Sequence, residues 1–333
     1  MRRLLVTGGA GFIGSNFVRY MLNEHPDYQI IVLDKLTYAG NLANLEDVSG
    51  NPRYQFVRGD ICDQQLVDSL VAEVDAIVNF AAETHVDRSI MDAGSFIQTD
   101  VYGTFVLLEA ARKHEISRFL QVSTDEVYGD IPVGSSKEQD PLRPRSPYSA
   151  SKAGGEMMVQ AYHTTYGLPV LITRGSNTYG PYQYPEKLIP VLITNALDNM
   201  ELPIYGDGQQ VRDWLHVLDH CSGIDVVLHN GKVGEAYNIG GGNERANLDI
   251  TGKVLDLLDK PRSLIRFVKD RPGHDRRYSL DCSKLHSLGW KPARDFDQGL
   301  SETVQWYVAN ESWWRPLKSG EYWEYYKSNY AGR

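Results

Sequence analysis

The fold of this chain is indicated most clearly by one stretch near its start, Arg3-Leu4-Leu5-Val6-Thr7-Gly8-Gly9-Ala10-Gly11-Phe12-Ile13-Gly14. An apolar run typical of a buried strand leads directly into the spacing Gly8-x-x-Gly11-x-x-Gly14, and a helical pattern follows. Such a turn lets the backbone approach a pyrophosphate at the helix N-terminus. Because the glycines stand between a strand and a helix, they predict a dinucleotide-binding unit.

The first half of the chain continues to alternate strands and helices. Short β-rich runs lie at residues 30–33, 54–57, 76–80 and 119–122, and helical spacing is found over 12–23, 63–71 and 97–114. Near-continuous apolar strands separated by helices indicate a parallel sheet covered on both faces. We therefore expect an α/β fold in which a doubly wound, Rossmann-like domain over residues 1–175 carries the catalytic residues. Residues 176–333 would form mainly a smaller substrate-binding lobe, parts of which could return to the sheet, and 129–147 would be a loop.

Composition excludes several classes of protein. The 333 residues are 42% hydrophobic and 23% charged, as in ordinary globular proteins, and the net charge of -9 argues against general affinity for nucleic acid. The three cysteines, Cys62, Cys221 and Cys282, are far apart and predict buried thiols in a reducing compartment and no metal site. The first apolar run is too short for a signal peptide, and no stretch is long enough to span a membrane, so we expect a cytoplasmic enzyme.

Acidic residues at strand ends indicate which cofactor would bind. Asp34 lies twenty residues after Gly14, where its carboxylate would accept from the ribose 2′-hydroxyl and repel a 2′-phosphate, which favours NAD over NADP despite the neighbouring Lys35. Asp60-Ile61 ends the third strand and would either hold adenine or, equally plausibly, place Asp60 as a helix N-cap. Ala81-Ala82-Glu83 ends the fourth strand at the same edge of the sheet.

Two further segments predict acid–base chemistry. Tyr148-x-x-x-Lys152 would place both side chains on one helix face, where the ammonium group would favour a phenolate able to act as a base toward a sugar hydroxyl. The segment Thr124-Asp125-Glu126 leaves the fifth strand at the ligand edge. Its adjacent carboxyls are either part of a solvated turn or an acid and a base whose environments separate their pKa values.

The sequence resembles a known family over essentially its whole length. The segments that carry the resemblance are residues 7–14, 81–89, 123–129, 148–152, 177–183, 185–190 and 270–278. Through them the chain resembles the extended branch of the short-chain dehydrogenase/reductase family, and within it the lyases that remove water across C4 to C6 of dTDP-glucose in deoxysugar biosynthesis. The Asp125-Glu126 pair separates these enzymes from related epimerases, which carry no such acid pair.

The resemblance implies a role for each site residue. Tyr148 would take the C4 hydroxyl proton, Glu126 the C5 proton, and Asp125 would protonate the departing C6 hydroxyl, with Thr124 holding the C4 oxygen and Lys152 the nicotinamide ribose. The NAD-binding residues would be Gly8, Gly11, Phe12, Ile13, Gly14, Asp34, Lys35, Thr37, Asp60, Ile61, Ala81, Ala82, Glu83, Thr99, Tyr148, Lys152 and Thr178. The substrate-binding residues would be Thr84, Thr124, Asn177, Lys187, Leu188, Pro203, Tyr205, Arg212, Asn247, Arg271, His274 and Tyr278. Bidentate arginines such as Arg212 and Arg271 suit phosphate oxygens.

Some questions stay open at this point. Thr84 and Gly175 depart from the family pattern, which commonly has Ser and Cys there. The rival functions are a 4,6-dehydratase of a CDP, GDP or UDP sugar, an NAD-dependent C4 epimerase, or a catalytically silent NAD-binding regulator. The aromatic-rich residues 306–330 are expected in the core or a subunit contact. A homodimer through helices near residues 97–114 and 149–166 is expected from the resemblance.

Overall fold

The computed structural model of the protein describes residues 2–330. In chain order the strands are β1 (Arg3–Thr7), β2 (Gln29–Asp34), β3 (Tyr54–Arg58), β4 (Ala76–Asn79), β5 (Arg118–Thr124), β6 (Val170–Gly175), β7 (Asn177–Tyr179), β8 (Leu202–Tyr205), β9 (Val211–His216), β10 (Ala236–Ile239), β11 (Glu244–Ala246) and β12 (Ile265–Val268). The α-helices are α1 (Phe12–Glu24), α2 (Gln64–Val71), α3 (Val86–Met91), α4 (Ala93–Phe96), α5 (Thr104–Lys113), α6 (Pro147–Tyr166), α7 (Leu188–Leu197), α8 (Val217–Asn230), α9 (Asn247–Leu257), α10 (Ser283–His286), α11 (Phe296–Ala309), α12 (Glu311–Trp314) and α13 (Glu321–Tyr330).

The main sheet has the strand order β10-β6-β5-β4-β1-β2-β3, and all of its neighbouring strands pair in parallel. The order reverses between β1 and β4, which is the switch point at which ligands bind in doubly wound sheets. The predicted α/β, Rossmann-like fold is therefore confirmed.

Helices cover both faces of this sheet, because its strands are apolar on both sides. On one face α1 and α8 pack side by side over a core that includes Phe17, Met21 and Ile224. On the other face α2, α5 and α6 bury Val67, Leu107 and similar side chains. Since α8 and β10 follow residue 175, part of the C-terminal half does pack on the main sheet.

The remaining C-terminal elements form a second core. A three-stranded sheet, β11-β9-β7, and a two-stranded sheet, β12-β8, lie with α7, α9 and α11 around residues such as Leu192, Trp214, Ile250 and Phe296. The helix α12 closes this cluster with Trp314, which is fully buried. No helix within residues 2–330 is long and apolar enough to cross a membrane.

Two local features differ from, or refine, the sequence prediction. Residues 97–114 were expected to form one α-helix, but Ile97–Gly103 is a π-helix that leads into α5. π-helical turns are often found at functional sites, and this one contains Asp100, which contacts Glu83 on the wall of the cofactor cavity described below. The predicted loop 129–147 ends one residue early, where Ser146 and Ser149 form a capping box at the start of α6.

Candidate active site

A long cavity opens at the carboxyl edge of the main sheet. Its walls include Gly8, Gly11, Phe12, Ile13, Gly14, Asp34, Lys35, Thr37, Asp60, Ile61, Ala81, Ala82, Glu83, Thr84, Thr99, Tyr148 and Lys152. Gly8 has a positive φ of 66°, and a Cβ there would lie 2.6 Å from the backbone nitrogen of Ala81. Only glycine allows this close approach of the two backbone segments. The loop therefore lies at the N-terminus of α1 in a form that fits a dinucleotide pyrophosphate.

The Asp34 carboxylate is held in place at the end of β2. Its two oxygens accept hydrogen bonds from the backbone N–H groups of Ala10 at 2.9 Å and Leu36 at 2.8 Å. Burial raises the pKa of Asp34 above its ordinary value, although both hydrogen bonds oppose the rise. A fixed acceptor on the wall of this cavity suits a ribose hydroxyl and disfavours a phosphate in the same place.

Lys35 and Asp60 form an ion pair of 2.6 Å between the ends of β2 and β3. The hydrogen bond to Asp60 raises the pKa of Lys35, so its ammonium stays charged and is paired with the Asp60 carboxylate. Of the two alternatives for Asp60, the helix N-cap is wrong: Asp63 caps α2 by accepting from the N–H groups of Gln65 and Leu66. Asp60 instead lines the cavity.

A second cavity lies between the main sheet and the C-terminal core. It is lined by His85, Val86, Asp87, Glu126, Tyr148, Asn177, Glu186, Lys187, Leu188, Val191, Pro203, Ile204, Tyr205, Arg212, Trp214, Asn247, Arg271, His274, Tyr278 and Tyr330. Five buried polar atoms of the lining residues have no hydrogen-bond partner within residues 2–330: Asp87 Oδ1, Asn177 Oδ1, Trp214 Nε1, Asn247 Oδ1 and Arg271 Nε. Unpaired buried polar atoms are costly, so this cavity is built for a polar ligand.

Tyr148 stands where the two cavities meet and lines both of them. Burial raises the pKa of Tyr148 well above its ordinary value, the charges of Glu126 and Asp100 add to this, and a hydrogen bond with Thr124 opposes it. The Nζ of Lys152 donates to the carbonyl of Val122 at 2.9 Å. The expected lowering of the Tyr148 pKa is therefore wrong, because burial dominates.

Asp125 and Glu126 occupy different environments although they are adjacent. Asp125 is 3% exposed, accepts from Thr124 Oγ1 at 3.2 Å, and has one carboxylate oxygen without a partner among the described residues. Burial and the charge of Glu126 raise its pKa well above the ordinary value. Glu126 lines the second cavity, and its pKa is raised by burial but held down by Arg271 and Arg212. The solvated-turn alternative is wrong for Asp125, which is buried.

Asp100 is a site residue that sequence reasoning missed. It is 1% exposed and accepts from Ser151 Oγ on α6 at 2.6 Å and from the N–H of Glu83 at 3.0 Å. Burial raises the pKa of Asp100 to about 6, and the nearby Lys152 limits the rise. The carboxyl thus links the π-helix to α6 and to Glu83, which lines the cofactor cavity.

The cations of the second cavity are not equally available to a ligand. The two terminal nitrogens of Arg212 donate to the carbonyls of Val211 at 2.8 Å and Asp275 at 2.9 Å, and its guanidinium lies over the Tyr278 ring. A bidentate clamp by Arg212 is therefore not preformed. Arg271 lies 3.6 Å from Asp87, and Lys187 donates to Thr84 Oγ1 at 3.0 Å.

Of the two departures from the family pattern, Gly175 has a structural account. A Cβ at Gly175 would lie 2.6 Å from Nε2 of His220, so glycine makes room for this buried imidazole ring. His220 Nδ1 also contacts Thr178 Oγ1 at 2.8 Å. Thr178 does not line the cofactor cavity, and Thr124 and Asp125 line neither cavity. Thr84 lines the cofactor cavity next to Lys187, although it was expected at the substrate.

The C-terminal aromatic segment is only partly core. Trp306 and Tyr307 pack as expected, but Tyr330 lines the second cavity, with its ring 5.6 Å from that of Tyr205. Asn329 donates to the Tyr205 hydroxyl at 2.8 Å. No motif marked Tyr330 in the sequence, whereas the equally missed His85, Asp87 and Glu186 lie inside the segments 81–89 and 185–190 that carried the resemblance.

The prediction of buried cysteines is wrong for Cys62, which is half-buried.

Comparison with known proteins identifies the family to which this site belongs. Residues 5–303 match the model of a family described as GDP-mannose 4,6 dehydratase. Among curated proteins, a dTDP-glucose 4,6-dehydratase from Actinoplanes sp. is 54% identical over 318 residues, which cover 94% of this chain and 99% of that protein.

Two solved structures share the whole fold. DesIV, a dTDP-glucose 4,6-dehydratase from Streptomyces venezuelae with NAD and TYD bound, is 56% identical and has a TM-score of 0.93, with 95% of this chain and 100% of that chain covered. The UDP-glucuronic acid 4-epimerase from Bacillus cereus, in complex with UDP-glucuronic acid and NAD, is 30% identical with a TM-score of 0.88, covering 92% and 99%. The chain therefore belongs to the GDP-mannose 4,6 dehydratase family, within the extended short-chain dehydrogenases/reductases.

Proposed function

We propose that this chain is a dTDP-glucose 4,6-dehydratase, a lyase that converts dTDP-glucose to dTDP-4-keto-6-deoxyglucose and water with NAD as its cofactor. The observation that carries the proposal is Glu126, an ionisable carboxyl on the wall of the second cavity, which Tyr148 also lines. Removing water across C5 and C6 requires a base at C5, whereas epimerisation at C4 does not. The 54–56% identity to dTDP-glucose 4,6-dehydratases supports the same substrate.

The chemistry that NAD would supply when bound is a reversible hydride acceptor for the sugar. The chain's own groups that would hold it are the Gly8 to Gly14 loop at the pyrophosphate, Asp34 at the adenosine ribose, and Lys152 at the nicotinamide ribose. Tyr148, at the junction of the cavities, would take the proton of the C4 hydroxyl. Because burial keeps its phenol protonated in the free protein, Tyr148 would become a base only once positive charge is placed beside it.

Asp125 and Glu126 would divide the elimination between them. A ketone at C4 acidifies the C5 proton, and Glu126 would remove it, since the nearby Arg271 and Arg212 favour its ionised form. Asp125 would supply the proton that leaves with the C6 hydroxyl, because burial and the charge of Glu126 raise its pKa and so favour its protonated form. Asp125 does not line either cavity, so this transfer needs a small local shift or a bridging water.

Charged and amide groups of the second cavity would hold the nucleotide diphosphate. Lys187 and Arg271 supply positive charge, and the unpaired amide oxygens of Asn177 and Asn247 can accept hydrogen bonds from donor groups of the substrate. The positive charge is local, which lets a chain of net charge -9 bind an anionic substrate.

One experiment separates the proposed reaction from its rivals. The purified protein is incubated with dTDP-, UDP-, CDP- and GDP-glucose, and both the 4-keto-6-deoxy product and any C4 epimer are followed. We expect the dehydrated product, formed fastest from dTDP-glucose. A C4 epimer would support an epimerase, preference for another nucleotide would change the substrate, and no turnover of any sugar would support a regulator that only binds NAD.

We also propose that the protein is a cytoplasmic homodimer. Ile97 and Tyr102 on the π-helix and Met157 and Tyr166 on α6 are exposed apolar or aromatic side chains, and Ile97 is 60% exposed. They lie on the two helical segments at which the family resemblance places the dimer contact. Light scattering coupled to size exclusion would give the mass of two chains, and Met157→Glu should shift it toward one.

A further inference from the structure

A cluster of possible metal ligands lies outside both cavities. His25 follows the end of α1, and Asp225 and His229 are four residues apart on α8. One donor atom from each residue lies within 4.8 Å of the other two. Asp225 Oδ1 is 2.9 Å from His25 Nε2 and 2.8 Å from His229 Nδ1. The three side chains are 25%, 13% and 27% exposed, so an ion from solvent can reach them.

We propose that His25, Asp225 and His229 bind one divalent transition-metal ion of the Zn²⁺ type, with water completing the coordination. Two imidazole nitrogens and one carboxylate oxygen are a ligand set that such ions prefer. Bonds of about 2.0–2.2 Å in a tetrahedral site place donor atoms roughly 3.3 Å apart. The two histidine–carboxylate contacts therefore need to open by only about half an ångström, and the two histidine nitrogens already lie within 4.8 Å of each other.

The surroundings of the cluster already orient its ligands. The hydroxyl of Tyr28 contacts His229 Nε2 at 2.7 Å. A phenol can either donate or accept, so it can accept from Nε2–H when Nδ1 binds the ion. The His25 ring is stacked on Tyr28 at 4.7 Å and on His229 at 4.9 Å between ring centroids. Fixed rings lose little conformational freedom on binding, and an outer hydrogen bond of this kind strengthens metal binding.

Such an ion would connect parts of the chain that are 200 residues apart in sequence. The helix α1 begins at the glycine loop of the cofactor cavity, and α8 packs beside it on the same face of the sheet. Because only the folded chain brings the ligands together, the metal would bind the native state alone. At an ion concentration of 100 times the dissociation constant, the unfolding equilibrium constant would fall about 100-fold.

Titration of the chelator-treated full-length protein tests the proposal. Zn²⁺ is added in a calorimeter and Co²⁺ is followed by its visible absorption. We expect one ion per chain. His25→Gln and His229→Gln should each weaken binding by at least about tenfold, and Tyr28→Phe by a similar factor through the lost outer hydrogen bond. The melting temperature should rise with Zn²⁺ only for proteins that bind it.

A matched control is His114→Gln. His114 Nε2 lies 2.9 Å from Asp68 Oδ1, the same kind of histidine–carboxylate pair, but Lys113 occupies the place of a second histidine. This variant should bind like the wild type. Equal binding by the wild type and by His25→Gln and His229→Gln, with circular dichroism showing that all are folded, would overturn the proposal, as would the absence of binding to the wild type.

Discussion

Tyr148 has the clearest expected phenotype of any single residue. Its hydroxyl is proposed to act on the C4 proton as the sugar is oxidised, so Tyr148→Phe should remove an interaction made mainly in the transition state. We expect kcat to fall by about 10²- to 10⁴-fold while the dissociation constant of dTDP-glucose changes only a few-fold. Steady-state kinetics and calorimetry measure the two quantities separately. A parallel loss of affinity and turnover would make Tyr148 a binding residue.

Glu126 should separate oxidation from elimination. With Glu126→Gln the C4 hydroxyl can still be oxidised, but no carboxylate is available to take the C5 proton. We expect absorbance near about 340 nm to rise on the enzyme while turnover falls by about 10²- to 10⁴-fold. Stopped-flow absorbance measures the first effect and product analysis the second. Dehydration at close to the wild-type rate would assign the C5 base to another residue.

Asp100 gives a stability prediction with a definite sign. Folding raises its pKa from the ordinary value of 3.8 to about 6, so its ionised form is disfavoured in the native state. The cofactor-free protein therefore loses stability as pH rises from about 4 to about 6, and the penalty is constant above that. Asp100→Asn does not titrate. Its free energy of unfolding, relative to wild type, should improve by roughly 1.4 kcal/mol between about pH 5 and about pH 7.5.

Urea unfolding of both proteins at both pH values tests this. The asparagine also weakens the contacts with Ser151 and Glu83, which lowers stability equally at both pH values and so does not affect the comparison. A difference between the two proteins that does not change with pH would show that Asp100 is not the titrating group.

Site residues were predictable where chemistry follows a strand end or a short spacing. Asp34 and Glu126 follow strands, and Tyr148 and Lys152 are four apart on one helix. Asp100 was not predictable, because a single Asp in a helical pattern has the same appearance whether it faces solvent or lies under a cofactor. The pKa of Tyr148 was also beyond sequence reasoning, since burial and distance decide it.

At the scale of elements, the five strands β1 to β5 were predicted to within about two residues, whereas the strands after residue 175 and the C-terminal helix were not predicted. Apolar runs such as those of β1 and β4 can only be central strands, and their parallel order follows from the helices between them. The segment α13 has aromatic residues on several sides, so its periodicity does not identify the face that meets the substrate cavity. The division into lobes at residue 175 stays a prediction.

Tyr330 on α13 should contribute to nucleotide affinity. It lines the second cavity beside Tyr205, and Asn329 anchors the helix to the Tyr205 hydroxyl. An aromatic ring there can stack on a base, an interaction worth roughly 1–3 kcal/mol. Tyr330→Ala should therefore weaken dTDP binding by about tenfold, while Tyr330→Phe, which keeps the ring, should bind like the wild type. Calorimetry measures both, and equal affinity of all three proteins would place the base elsewhere.

Over the whole molecule, the two cavities form one site because they share a wall. Tyr148, Glu186 and Lys187 line both. Glu186 is 3% exposed and accepts from the Tyr38 hydroxyl at 2.8 Å and from Arg88 Nε at 3.0 Å. These hydrogen bonds fix the Glu186 side chain in the wall that the two cavities share. The reacting carbons of the sugar and the reactive end of the cofactor would thus meet beside Tyr148.

This shared site leads to the prediction that the reaction is redox-neutral. Elimination by Glu126 and Asp125 leaves a C5=C6 alkene conjugated to the C4 ketone, and C6 is then electrophilic. Hydrogen taken from C4 should return to C6 of the same sugar, while C5 takes hydrogen from solvent and one bound NAD supports many turnovers. Mass spectrometry of the product from C4-deuterated dTDP-glucose in water, and from unlabelled substrate in D2O, measures both transfers. If the C4 label were lost to solvent, or free NAD were consumed in proportion to product, the protein would be an ordinary dehydrogenase. The roles proposed for Glu126 and Asp125 in the elimination would then be wrong.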